Sequence, residues 1–478
     1  MPAALIISLT LGLLYARTIA PGLTWANFSA DGGDFLAAIA TGGVPHPGGY
    51  PLYLLLGGLF ARLPFGEPAF RTNLLSAFCT ILTANLVALI SANWLAGKPG
   101  RSWLALLAGL AYGLSPFAWG QALVTEVYSL HALLVCLCLL AWSAKRHWWV
   151  GLTFGLAAAN HLTALLALPL LVLGGDAQRW RPAPRARLAR FLGLLSGLSL
   201  YLLLPLRAAT HPAINWGGAA SLPGLAWLVS GRMYSGFLLD TPLVDVVGRL
   251  HGLAGLLLEQ FGPLGVFLAV GGLLMMPRGR ERLAGLWIVL ANGAFAILYN
   301  SSDSQVYLAP VWPVLAAWMA VGLGSLVELA GSSRRGQWLR AGLLAGALAL
   351  LLMRVPRIYQ QVDLSQDERA SGWITHTLDA IPSGALVFVS GDQQVFGLWY
   401  AQFAQGRRLD VAVMADGLLA YRWYLNSLAD AYPRLGIPVT EQAQARDFVA
   451  LNPGQVFCRL ERDSSEPVCE WNVLPPGQ

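Results

Sequence analysis

The sequence predicts a polytopic α-helical membrane protein of about eleven transmembrane helices, followed by a small C-terminal α/β soluble domain. Three observations lead there. The 478 residues are 56% hydrophobic and only 12% charged, with mean hydropathy +0.56, whereas soluble domains carry about 25% charged residues. Apolar stretches of bilayer-spanning length, ~20 residues each, recur from the N-terminus to about residue 355. Beyond that point Gln360, Asp363, Asp367, Glu368 and Arg369 open a segment of ordinary soluble composition. The expected domains are therefore 1–357 in the membrane and 358–478 outside it.

The net charge of +6 is no signature of nucleic-acid binding. Basic residues fall in short clusters between apolar segments: Lys98/Arg101, Lys145/Arg146, Arg179/Arg181/Arg185/Arg187/Arg190, Arg278/Arg280/Arg282 and Arg334/Arg335/Arg340. Such clusters mark cytoplasmic loops. The alternate loops hold Asp31, Asp34, Glu126, Asp240, Asp245 and Asp303 and are poor in Lys and Arg. This alternation places the N-terminus inside and the C-terminal domain outside.

The spans read as 2–20, 70–95, 102–118, 123–143, 148–160, 162–175, 190–206, 248–275, 283–300, 307–329 and 338–355. No basic region precedes the first span and no small-residue cleavage site follows it, so it is expected to be retained. Cys79, Cys136 and Cys138 lie within apolar spans and read as buried small hydrophobes. Cys458 and Cys469 flank a polar stretch with the look of a hairpin turn, and in an extracytoplasmic domain they form either a disulfide or two free thiols. In the same domain Ala385–Val389 reads as a strand, Val395–Gln405 as a helix and Leu409–Met414 as a second strand, an order that favours parallel pairing. Asp392 follows the first strand, where α/β proteins bind ligands, although a helix cap explains it more simply.

The candidate chemistry starts in the first loop. Asp31-Gly32-Gly33-Asp34 precedes an apolar run, and Pro45-His46-Pro47-Gly48-Gly49-Tyr50-Pro51-Leu52-Tyr53 follows it. A carboxylate at the bilayer centre costs about 2.5–3.5 kcal/mol on insertion scales, so such groups gather at cavities and interfaces. If the apolar run is helical, both carboxylates lie near one face of its first turn. Helix capping accounts for one of them. It does not account for the proline- and glycine-fixed path that holds His46 near the pair. An acidic pair in this place suggests membrane-embedded sugar transfer.

Glu126 stands near the start of the fourth span, facing either the same cavity or the headgroups. His161 follows Asn160 at the tip of a short hairpin and reads as a packing residue or a substrate contact. Arg207, His211, Asn215, Trp216, Arg232 and Tyr234 share one long outer loop. Arginine forks bind phosphate and a tryptophan face suits a sugar ring, though both residues also anchor at headgroups. Asp303 and Gln305 sit in a polar loop tip between the ninth and tenth spans.

Together these motifs resemble the transmembrane-protein-260-like family, formerly a domain of unknown function, which is related to the protein O-mannosyltransferases of the GT-C glycosyltransferase superfamily. The resemblance rests first on Asp31–Asp34 followed by His46–Tyr53, where the family pattern is Asp-Ser-Gly-Glu and then His-Pro-Pro-Gly-x-Pro-Leu-Tyr. It extends through Arg71–Asn73 with Ser76, Thr125–Tyr128, Gly155 to Asn160-His161, Ile214–Gly217, Asp303–Tyr307, Gly391-Asp392, Leu398–Tyr400 and Arg408–Val411. Asp34 is one methylene shorter than the family's glutamate, and Gly48 stands for its second proline.

The resemblance implies a GT-C-like membrane domain that transfers a sugar, mannose by family expectation, from a polyprenyl-phosphate donor. The acceptor is a hydroxyl of unidentified class, on protein, glycan or lipid, at the outer face of a plasma membrane. It makes Asp31 the expected base of an inverting reaction, with Asp34 sharing the site or orienting the acceptor. Tyr50, Glu126, His161, Asn215, Trp216 and Asp303 become substrate contacts, and Arg207 or Arg232, with His46, meets the lipid phosphate. No obligatory metal is implied, although two acids and a histidine are also donors that a divalent cation accepts. The rival expectations are a lipid-linked-sugar flippase or transporter, against which the sequence shows no internal repeat, and an inactive envelope scaffold. The Ala, Leu, Gly and Arg bias suggests a bacterial source.

Overall fold

Runs of Leu, Ala, Val and Ile without interior charge favour helix and, in lipid, require it, because every backbone amide must be satisfied within its own segment. The computed structural model describes residues 2–174, 181–277, 279–440, 442–461 and 464–471. Arg179 and Arg278 of the basic clusters, and Arg462 and Asp463 of the predicted hairpin tip, lie outside the described residues.

The first half contains α1 (Pro2–Thr18), α2 (Gly32–Thr41), α3 (Pro51–Ala61), α4 (Pro68–Trp94), α5 (Arg101–Gly113), α6 (Pro116–Ala122), α7 (Tyr128–Ser143), α8 (His147–Ala158) and α9 (Leu168–Val172). The second half of the helical region contains α10 (Pro184–Leu198), α11 (Leu203–Ala208), α12 (Leu222–Val229), α13 (Leu243–Met275), α14 (Arg280–Leu298), α15 (Val311–Leu329) and α16 (Arg334–Val362). Among the described residues six helical segments are long and apolar enough to cross a membrane, or seven if the bent pair α5 and α6 counts as one. The chain is a multi-pass membrane protein.

Each predicted span coincides with a helix or a broken helix, but several differ from a simple crossing. The predicted span 102–118 bends by 64° between α5 and α6, where Ser115 is extended ahead of Pro116. Helix α8 has 12 residues, about 18 Å at 1.5 Å per residue, which is shorter than a ~30 Å hydrocarbon core. The sixth predicted span opens as a 3-10 segment, Leu162–Ala167. Helix α13 is broken at Gly262, ahead of Pro263.

Helix α15 is the central post, 78% buried along its apolar window, whereas α16 lies at the periphery with none of its window buried. The close packing of α15 on α13 depends on small residues. A Cβ on Gly272 would lie 1.8 Å from the Trp318 carbonyl, and one on Gly322 would lie 2.1 Å from that of Leu268. Backbones this close gain dispersion contacts that lipid cannot supply.

After α16 come α17 (Arg369–Ala380), β1 (Leu386–Val389), α18 (Asp392–Trp399), β2 (Ala412–Ala415), α19 (Arg422–Ala431), α20 (Ala445–Leu451), β3 (Val456–Leu460) and β4 (Val468–Trp471). The sheet order is β2-β1-β3-β4. Strand β1 pairs in parallel with β2 and β3, and β4 closes the edge antiparallel to β3. The predicted strand–helix–strand unit is present, and its strands are parallel. Cys458 and Cys469 face each other across β3 and β4 and form a disulfide.

Replacing Gly272 by Val should destabilise the detergent-solubilised protein by at least about 1–3 kcal/mol through the clash with α15. Gly271→Ala, with no atom within 4 Å of its added methyl, should be neutral or slightly stabilising. Thermal unfolding followed by size-exclusion recovery distinguishes the two.

Candidate active site at the membrane face

Helix α2 starts directly after Asp31, yet Asp31 does not cap it. Its backbone is already helical (φ −73°, ψ −15°), and its side chain makes no capping hydrogen bond. One turn later Asp34 is fully buried. Its Oδ2 accepts the His46 backbone N–H at 2.9 Å and Nδ1–H at 2.8 Å, and its Oδ1 accepts the Trp216 indole N–H at 3.1 Å. A carboxylate only accepts, so these contacts fix a proton on Nδ1. The opposite ring nitrogen, Nε2, lies 3.4 Å from Asp31 Oδ2 and 3.1 Å from the Tyr50 hydroxyl.

The loop geometry explains the glycine at position 48. Gly48 adopts φ +112° and Gly49 φ +67°, and Tyr50 is itself left-handed at φ +45°. A proline ring cannot reach φ +112°, so the path of this loop excludes the family pattern's second proline at position 48. The path nevertheless brings His46 onto Asp34.

Asp31 retains 34% of its side-chain surface while His46 retains 3%. Burial raises the Asp31 carboxyl to about 6, opposed by His46 and supported by the charges of Asp392, Asp34 and Asp303. Burial works to lower the His46 pKa, but Asp31 and Asp34 outweigh it and hold the imidazolium above its ordinary range. Burial first, and then Asp31, hold the Glu126 carboxyl well above the usual carboxylate range. Two acids here are thus pushed toward neutrality, a recurrent property of sites that move protons.

The structure gathers most of the predicted residues around this centre. Glu126 is 1% exposed; its Oε2 accepts the Val127 N–H at 3.1 Å, and Oε1 has no protein partner. His161 bonds Thr163 Oγ1 through Nδ1 at 2.7 Å, and its ring lies within 6.0 Å of the Tyr50, Tyr128 and Tyr307 rings. Asp303 accepts from the Ser301 hydroxyl and bears electrostatically on Asp31. Trp216 packs against the His46, Phe396, Trp399 and Trp423 rings. Its neighbour Asn215 bridges to Val44 and so ties the outer loop to the first loop.

The two predicted phosphate-binding arginines are placed differently. Arg207 donates to the Gly43 carbonyl at 3.0 Å and braces the first loop from behind. Arg232 is exposed at the start of the 3-10 turn Arg232–Phe237. Arg249, which sequence reasoning passed over, lines a cavity of about 330 Å³ together with Ser301, Ser302, Ser304 and Gln305 and with Leu253, Leu256 and Ile297. Its guanidinium donates to the Tyr299 carbonyl at 2.8 Å and to Asn300 Oδ1 at 3.0 Å. The signal that could have found it is an arginine at the outer end of a span, on the face that the charge alternation leaves poor in basic residues. Among the described residues no group of three or more His, Cys, Asp or Glu is placed to hold a metal ion.

If Asp34 is the buried anchor of this centre, Trp216→Phe removes one of its donors while keeping an aromatic ring. The expected loss is about 1–3 kcal/mol of stability, read as a lower thermal midpoint. An unchanged midpoint would show that the indole N–H contributes nothing there.

Residues 31–181 match the family described as Protein O-mannosyl-transferase TMEM260 N-terminal domain, and residues 371–465 match TMEM260-associated domain 2. The mouse protein named Protein O-mannosyl-transferase TMEM260 is 24% identical over 450 residues, covering 85% of this chain and 62% of that protein. Its Dictyostelium discoideum counterpart is 20% identical over 490 residues, covering 89% of this chain and 58% of that protein. The chain thus spans about three fifths of the length of these curated relatives. Among solved structures, ArnT from Cupriavidus metallidurans bound to undecaprenyl phosphate superposes with TM-score 0.55 at 14% identity, over 95% of this chain and 92% of that one. The apo form of ArnT gives TM-score 0.53 at 14% identity, over 87% and 89% of the two chains. The chain belongs to the TMEM260-like family and carries the GT-C membrane fold.

Proposed function

We propose that this chain is a GT-C glycosyltransferase that moves a sugar from a polyprenyl-phosphate donor to an acceptor hydroxyl, with inversion and with Asp31 as base. The observation that carries this reading is the division of labour in the first loop. Asp34 is enclosed by His46 and Trp216, while Asp31 stays accessible at the same centre. The names of the relatives support mannose as the sugar and a protein as the acceptor. The undecaprenyl phosphate held by ArnT supports a lipid-linked donor.

In this reading the acceptor oxygen attacks the anomeric carbon as its proton passes to Asp31, and the bond from that carbon to the phosphate oxygen breaks. A positioned base of this kind contributes roughly 10²–10⁴-fold. His46, fixed by Asp34, orients Asp31 and adds positive charge beside it. The leaving lipid phosphate sits in the Arg249 cavity, whose serine hydroxyls meet its oxygens and whose leucines receive the first isoprene units. Arg207 and Arg232 are not needed for that step. Glu126, carrying its proton, and the Tyr50, Tyr128, Tyr307 and His161 rings bind the sugar. The mechanism calls for no metal. The active side faces out of a plasma membrane, with the N-terminus inside and the C-terminal unit outside, where its disulfide persists.

The test is a transfer assay on lipid-reconstituted protein with labelled polyprenyl-phosphate sugars. Asp31→Asn should lower transfer by at least about 10²-fold with insertion and folding unchanged. Wild-type turnover in that variant removes Asp31 as base, and labelled lipid crossing the bilayer without donor consumption favours transport instead. Because Asp31 must be unprotonated to accept a proton, kcat/KM should fall as pH drops through about 6. Arg249→Ala should raise KM for the donor by roughly ten- to a hundredfold, the worth of a hydrogen-bonded charge contact, with Arg249→Lys recovering part of the loss.

A further inference from the structure

The C-terminal α/β unit reaches into the same centre. Gly391, at φ +97°, turns the chain out of β1, and Asp392 is the first residue of α18. The expected capping role therefore falls to the Gly391 position, and Asp392 lies inside the helix. One turn later Phe396 lies nearly parallel to the His46 ring, with centroids 6.2 Å apart and planes 15° apart. Phe396 also packs edge-on against Trp216. Its carbonyl oxygen lies 2.3 Å from where a Cβ on Gly33 would stand, so the third residue of the Asp31–Asp34 motif admits no side chain. Residues four apart share a helix face. The face of α18 that carries Asp392 and Phe396 is therefore applied to the turn bearing Asp31, Asp34 and His46.

Asp392 is exposed, at the rim of this contact, and Asp31 is the first-loop carboxylate that keeps accessible surface. The charge of Asp392 acts on Asp31, His46 and Tyr234. An acid in the first turn of a helix is also favoured by the helix dipole. That role explains the residue type; it explains neither the glycine required at position 33 nor the parallel Phe396 and His46 rings.

Resting on the reading of Asp31 as base, we propose that Asp392 is a positioning residue of the active site, placing a negative charge at the rim of the centre that strengthens Asp31 as proton acceptor. The second matched region of the chain, residues 371–465, thereby completes the centre begun in the first loop. The other titratable groups coupled to Asp31 are His46 and Asp34 from the first loop, Asp303 ahead of α15 and Glu126 ahead of α7, and the hydroxyls of Tyr50, Tyr128, Tyr234 and Tyr307 feel its charge.

The experiment is the pH dependence of kcat/KM for the full chain in proteoliposomes, comparing wild type, Asp392→Asn and Asp392→Glu. Removing a like charge lowers the pKa of its neighbour, so the acid limb of Asp392→Asn should move to lower pH by about 0.5–1 unit. Asp392→Glu should return it to the wild-type position. A merely structural Asp392 changes yield or maximal rate and leaves the limb in place, which overturns the proposal. If Asp392→Asn abolishes transfer, restoration by Glu supports the proposal, and failure of Glu in a monodisperse protein overturns it. Asp31→Asn is assayed alongside: full activity there sinks the base reading itself. Loss of activity there with an unmoved Asp392→Asn limb sinks only the role of Asp392.

Discussion

Asp34 is a carboxylate with no exposed surface, in a protein whose surroundings are mostly hydrocarbon. Such a group costs several kcal/mol unless its lone pairs are met. It is met by three donors from two distant parts of the chain, the His46 amide and imidazole and the Trp216 indole. Each donor fixes something else. The imidazole is turned so that Nε2 faces Asp31, and the indole brings the outer loop and, through its ring neighbours, the C-terminal unit onto the first loop. Asp34 is enclosed while Asp31, one helical turn earlier, keeps accessible surface at the same centre.

The contact between the two regions has the same logic. Helix α2 is short and glycine-started, so a second backbone can lie against it, and α18 does so with its Phe396 carbonyl on Gly33. Tyr400 and Gln405 reach Glu67 ahead of α4, and Thr24 bonds Asp367 ahead of α17. Trp25 packs edge-on against Trp373. These contacts make the C-terminal unit a wall of the centre and hold it against the membrane region at several points.

Much of the architecture was legible because it is written in local composition. Apolar runs, basic clusters and the β-branched Leu386–Val389 segment each report their own element without reference to the rest of the chain. The first-loop motif also stood out, since Asp, Gly, His and Pro rarely gather beside a span by chance. What composition could not report were pairings across long separations. Asp34 reads as half of an acidic pair until Trp216, 182 residues away, is seen to close on it. Asp392 reads as a helix cap until Phe396 is found on His46. Arg249 stays hidden within a predicted span because its partners, the Tyr299 carbonyl and Asn300, lie about fifty residues away, and the cavity that it lines with Ser301 to Gln305 forms only when the two segments pack. The broken α5 and α6 pair was readable in principle from Ser115-Pro116.

The most direct measurement is a structure of the reconstituted protein with a non-transferable phosphonate analogue of a polyprenyl-phosphate sugar. The anomeric carbon should face Asp31 across space for one acceptor hydroxyl, the phosphonate should sit beside Arg249, and Asp34 should remain bonded to His46 and Trp216. A sugar bound away from Asp31, or an Asp34 that leaves His46 to contact the ligand, would contradict this arrangement.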